Sequence, residues 1–119
     1  MKLKYFNIAY KMSTFSDHSQ HRHGAVLVKK NRIISKGFNK VKTHTCSTHC
    51  YKNIHAELDA ILKARRQDVN GCTLYLYRQD KNGIKSNSRP CSWCLILLKQ
   101  YGIKKVYYTF EGSYKEEII

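Results

Sequence analysis

Leu3, Phe6, Tyr10 and Met12 recur at helical spacing, which predicts an opening helix over residues 3 to 14. The apolar run at 25 to 28 and the pair Ile33-Ile34, joined by the polar residues 29 to 32, predict a hairpin. A polar stretch rich in Thr, His, Cys and Lys then leads to Asn53, a candidate N-cap for a helix over 54 to 66. In that helix Leu58, Ile61 and Leu62 make an apolar face, while Lys63, Arg65 and Arg66 suit the C-terminal end of the dipole. Residues 73 to 77 read as a strand and residues 78 to 89 as a polar loop of turn-forming residues without periodicity. Pro90 stands at the start of a further helix whose face runs through Cys91, Cys94, Leu95 and Leu98 and which Gly102 stops. Residues 105 to 110 form a last strand. The order α-β-β-α-β-α-β, without repeat, low-complexity tract or linker, predicts one layered α/β domain over residues 1 to 119.

Charge and cysteine content narrow the setting. Lys and Arg outnumber Asp and Glu by 22 to 8, for a formal net charge of +14. Three of the few acids, Glu111, Glu116 and Glu117, crowd the tail, so the body of the domain is more basic still. Such a field attracts phosphate, on a nucleotide or along a polynucleotide, although a solvated basic surface without a partner carries the same composition. The longest apolar run, residues 94 to 98, is far too short to span a bilayer, so no membrane partner and no secretory signal are expected. Five cysteines is an odd count, and the expectation is reduced thiols in a cytoplasmic compartment.

Two short motifs carry the chemistry: His55-Ala56-Glu57 and Pro90-Cys91-Ser92-Trp93-Cys94. One imidazole and two thiolates suit Zn²⁺ held by three protein ligands, His55, Cys91 and Cys94, with the fourth position left to water. Either motif alone is weak, but both in this order, with Pro before the first Cys, match the zinc deaminase signature. Cys91 and Cys94, three apart at a helix start, project from one side, and His55 joins them if the two helix N-termini face each other. Glu57 is not required as a ligand and is placed to move protons between water, a ring nitrogen and leaving ammonia. A closed structural zinc site, the alternative, has no use for such a carboxylate. Cys46, His49 and Cys50, with His44 nearby, offer ligand types for a second, structural zinc, but the spacing alone is weak and one zinc is the expected count. His18, His21 and His23 are read as a surface run, Cys72 as core, and the strand tyrosines as sheet packing.

The segments 23 to 39, 55 to 61, 71 to 77 and 89 to 108 together resemble the cytidine and deoxycytidylate deaminase superfamily, nearest its deoxycytidylate deaminase-like and tRNA adenosine deaminase-like branches. The resemblance implies a three-layer α/β/α sandwich around a mixed sheet, truncated at the C-terminus, where residues 114 to 118 are left to form a short edge strand and a full final helix is absent. It also implies that Asn39 hydrogen-bonds the sugar or base, and that the backbone N–H groups of Ala56 and Cys91 lie near the reacting amide. Arg89, with Lys81 and Lys85, is the candidate contact for a substrate phosphate. The expected activity is zinc-dependent deamination of a cytosine nucleotide, dCMP foremost. A deaminase of cytosine or adenine in single-stranded DNA or RNA is the alternative, and a non-catalytic zinc-stabilised nucleic-acid-binding module the third reading. The expected partners are thus a nucleotide, with a nucleic acid as the alternative and a second copy of the chain as a candidate.

Overall fold

The structure, a computed structural model, describes residues 2–17, 21–40, 55–64, 69–90 and 92–119. Cys46, His49 and Cys50, the candidate second zinc site, lie outside them, as do Asn53 and Cys91. Along the described chain run α1 (Leu3–Ser13), β1 (His21–Lys29), β2 (Arg32–Phe38), α2 (Ala56–Lys63), β3 (Thr73–Asp80), β4 (Lys85–Ser86), α3 (Ser92–Gln100), β5 (Lys105–Phe110) and β6 (Ser113–Ile118).

The strands form one sheet in the order β2-β1-β3-β5-β6, with β4 paired to β3 off this path. β3 and β5 are parallel and the other pairings antiparallel, so the sheet is mixed. Lys30 and Asn31, both at positive φ, make the two-residue turn between β1 and β2, a conformation whose twist matches that of the strands it joins.

Strand alternation divides the core between the two faces of the sheet. Val26, Val28, Tyr75 and Tyr107 pack against Tyr5, Phe6 and Ala9 of α1. Ala25, Leu27, Leu74, Leu76, Val106 and Tyr108 face the other way, in a cluster with Ala56, Ala60 and Ile61 of α2 and Leu98 of α3. Leu27, Leu74, Leu76 and Leu98 are fully buried, each stabilising the fold by about 2 kcal/mol. The three α/β/α layers expected from the sequence are therefore present, Cys72 belongs to the core, and Tyr75 and Tyr107 pack the sheet as expected.

Glycine allows the helices to lie close on the strands. A Cβ on Gly37 of β2 would stand 2.5 Å from the Ala60 nitrogen and 2.7 Å from the Ala56 oxygen, and one on Gly24 of β1 would strike the carbonyl oxygen of Ala9 in α1. The Ser35 hydroxyl of β2 donates to the Ala60 carbonyl at 2.6 Å and adds a polar tie to the same contact.

Two expectations need correction. α2 begins at Ala56 with His55 as its N-cap residue, and His55 makes no side-chain capping bond. The stretch expected as a loop from residue 78 begins instead as strand: β3 continues to Asp80 and turns back into β4. The Asp80 carboxylate makes this turn by accepting from the amides of Asn82 at 2.8 Å and Ile84 at 3.0 Å, a local bond that polar turn residues provide without any apolar period.

Candidate active site

The helices α2 and α3 lie on the same face of the sheet, and their N-terminal ends meet. His55 precedes the first turn of α2 in an extended conformation, at φ −70° and ψ 151°, which frees its ring from the helix. Its Nδ1 lies 2.9 Å from the Cys94 Sγ of α3. The carboxylate of Glu57 completes the cluster, with the ligand atoms of His55, Glu57 and Cys94 all within 4.8 Å of one another. Cys94 is fully buried and Glu57 nearly so. Among the described residues this is the group of His, Cys, Asp and Glu side chains able to hold a metal ion.

The donor set suits zinc. An imidazole nitrogen and a thiol sulfur in contact are borderline-soft ligands of the kind Zn²⁺ prefers, and the neighbouring carboxylate is a proton acceptor. The two helix N-termini stabilise thiolate and carboxylate charge at this point.

The cluster opens into a cavity of about 400 Å³ lined by residues of β1, the end of β2, α2, the end of β3 and the segment before α3. Asn39 is buried in its wall and held at three points on β1: its amide donates to the His23 carbonyl at 3.3 Å, its Nδ2 donates to the His21 carbonyl at 2.7 Å, and its Oδ1 accepts from the His23 amide at 2.8 Å. Ala56 lines the cavity beside Glu57. Asp59, one turn further along α2, faces away and ties the helix to the end of β2 by accepting from the Phe38 amide at 3.1 Å, Lys40 at 2.8 Å and Lys63 at 2.9 Å. Burial pushes the Asp59 carboxyl up, but these bonds outweigh it and hold the group below its ordinary value.

Arg89 lines the cavity at its exposed margin, with its guanidinium gripped by Glu117 of β6: Nε donates at 3.0 Å and the second terminal nitrogen at 3.1 Å. The hydrogen bond and charge of Glu117 raise the Arg89 pKa above its ordinary value. Lys81 and Lys85, expected beside it, do not line the cavity. The β3–β4 hairpin carries Lys85 to the α1 face of the sheet, where its ammonium lies 4.3 Å from the Tyr114 ring centroid. In their place the cavity has His21, His23 and Arg78. The sequence signal for Arg78 is the alternation Leu74, Leu76, Arg78, legible only once β3 is known to continue. The same holds on β1 for His21 and His23, four and two residues before Ala25.

Comparison with known proteins places this geometry. Residues 1–110 match the family described as the cytidine and deoxycytidylate deaminase zinc-binding region. The chain is 32% identical to the "uncharacterized deaminase in luxG 3'region" of Aliivibrio fischeri, over 87% of its own length and 69% of that protein. It is 29% identical to the deoxycytidylate deaminase of Mycobacterium phage D29, over 91% of its length and 93% of the relative. Among solved structures, the apo form of dCMP deaminase from the cyanophage S-TIM5 superposes with a TM-score of 0.66 at 26% identity, covering 89% of this chain and 82% of that one. The chain belongs to the cytidine and deoxycytidylate deaminase family and is a zinc-dependent hydrolytic deaminase.

Proposed function

We propose that the protein converts dCMP and water to dUMP and ammonia. The observation that carries the reading is the convergence of His55, Glu57 and Cys94 within 4.8 Å at a cavity whose other walls bring Arg78 and Arg89 to the same space. His55, Cys94 and Cys91 are the proposed zinc ligands, Cys91 by its spacing from Cys94. Zinc, when bound, supplies a Lewis acid that makes water acidic enough to be a nucleophile near neutral pH.

In this mechanism Glu57 takes a proton from the attacking water, delivers it to the ring nitrogen N3, and passes a second to the departing amine. Its burial excludes bulk water from that transfer. Asn39, locked to β1 by both ends of its amide, offers polar atoms fixed in position to the sugar or base. The Ala56 backbone at the cavity wall flanks the reacting amide. Arg78 and Arg89 stand on the side of the cavity where a 5′-phosphate attached to a base lying over Glu57 emerges.

The similarity to deoxycytidylate deaminases supports a nucleotide substrate. The net charge of +14 favours a second reading, a polynucleotide substrate. Ammonia release across cytosine, cytidine, deoxycytidine, dCMP, dCTP, single-stranded DNA and single-stranded RNA separates them. The expected result is a kcat/KM for dCMP above that of every other compound. Efficient deamination of single-stranded DNA or RNA with negligible activity on dCMP would replace the first reading with the second.

A further inference from the structure

We propose that Arg78, oriented by His21 and the Asn87 carbonyl, is the residue that makes this cavity select a phosphorylated substrate. The inference rests on the dCMP reading and assigns its phosphate contact.

On β3, residues 74, 76 and 78 share a face, and on β1 residues 21, 23, 25 and 27 share the same one. His23 is paired with Arg78, Ala25 with Leu76 and Leu27 with Leu74. Beneath α2 and α3 these paired rows are aliphatic and buried. Where the rows run on into the cavity they become His21, His23 and Arg78. A face that is apolar under the helices and presents two imidazoles and a guanidinium in the cavity suits a ligand with a ring at one end and an anion at the other.

Arg78 is held without being neutralised. One terminal nitrogen donates to the Asn87 carbonyl at 3.1 Å, and the other meets the His21 Nδ1 in a short contact. Both partners are uncharged acceptors when the imidazole is neutral. Asp80, next on the same face, is committed to its own hairpin turn. Among the described residues no carboxylate forms an ion pair with Arg78, and its Nε, shielded from solvent, has no acceptor. A guanidinium has five N–H donors in a planar fork that matches phosphate oxygens. Here two are used, both for aiming the group, and its charge is left for a ligand.

Arg89 differs on each count. Glu117 takes two of its donors in a bidentate pair and cancels its charge, and its side chain is 48% exposed. An exposed, compensated cation adds little to the selection of an anion. The phosphate contact therefore falls to Arg78, and Arg89 stays committed to Glu117 at the margin.

The test compares zinc-loaded wild type, Arg78→Ala, Arg78→Lys and Arg89→Ala in kcat and KM for dCMP and for deoxycytidine. Binding of dUMP and of deoxyuridine is measured by calorimetry alongside. Loss of a charged hydrogen-bonding group corresponds to about a 30-fold effect. Arg78→Ala is expected to lower the dCMP-to-deoxycytidine ratio of kcat/KM by about that factor, mostly through KM, and to weaken dUMP much more than deoxyuridine. Arg78→Lys, which keeps the charge and loses the fork, is expected to fall between, and it serves in place of the Ala variant if that variant does not fold. Equal losses on both substrates, or a ratio erased by Arg89→Ala and kept by Arg78→Ala, would overturn the proposal. Arg78-dependent dUMP binding in a protein that does not turn over dCMP would retain the subsite and refute the dCMP reading alone. Selective turnover of dCMP that is indifferent to Arg78 would do the reverse.

Discussion

The carboxylate of Glu57 lies close enough to His55 and Cys94 to be either a third ligand or a proton carrier, and the two roles differ in a measurable way. As a proton carrier, Glu57→Gln keeps the shape of the site and loses the base. The expected outcome is a fall in kcat of about a thousandfold with zinc content by elemental analysis unchanged. Zinc lost in parallel with activity would make Glu57 a ligand. At this scale the sequence was informative wherever the chemistry is local: His55 and Glu57 are two residues apart, and Cys94 belongs to a motif of five. Arg78 and Asn39 have their positions set by pairing with β1, across as many as 57 residues in the case of His21 and Arg78, and no short motif encodes such a contact.

Elements enter the chemistry through α2, because its N-cap and first turn carry His55 and Glu57 and its height above the sheet sets where they stand. That height is fixed by Gly37, where an added Cβ meets backbone atoms of Ala56 and Ala60, neither of which can rotate away. Gly37→Ala is accordingly expected to destabilise the protein by about 1–3 kcal/mol and, in the folded fraction, to lower kcat by displacing the start of the helix. Gly112→Ala is a useful control, since that glycine has a positive φ but open space around it, so the substitution adds backbone strain without moving α2. A melting temperature for Gly37→Ala equal to that of wild type would show that the contact relaxes without cost. The helices and most strands were legible from apolar periodicity. The end of β3 and all of β4 were not, because there the strand leaves the core for the cavity and the turn, and its inward positions cease to be apolar.

For the whole molecule, a layered α/β domain follows from the alternation of strand and helix patterns, whereas the meaning of the +14 charge does not follow from composition. Net charge attracts a mononucleotide and a polynucleotide alike, but the two differ in how many phosphates are neutralised at once. A single strand held by Z cations loses affinity with a logarithmic salt slope of about −0.7Z, so five contacts between 50 and 200 mM salt cost roughly a hundredfold. A mononucleotide presents one phosphate, and in the geometry proposed above it meets one partly buried guanidinium that salt screens weakly. The KM for dCMP is therefore expected to rise by no more than about threefold across that range. Charge reversal of the exposed Lys30 in the β1–β2 turn, or of the exposed Arg32 at the start of β2, both away from the cavity lining, is expected to leave that KM within about twofold of wild type. A steep salt dependence that weakens stepwise as these distributed cations are removed would mean that the basic surface as a whole tracks a polynucleotide backbone, and that the cavity receives one base of a longer strand.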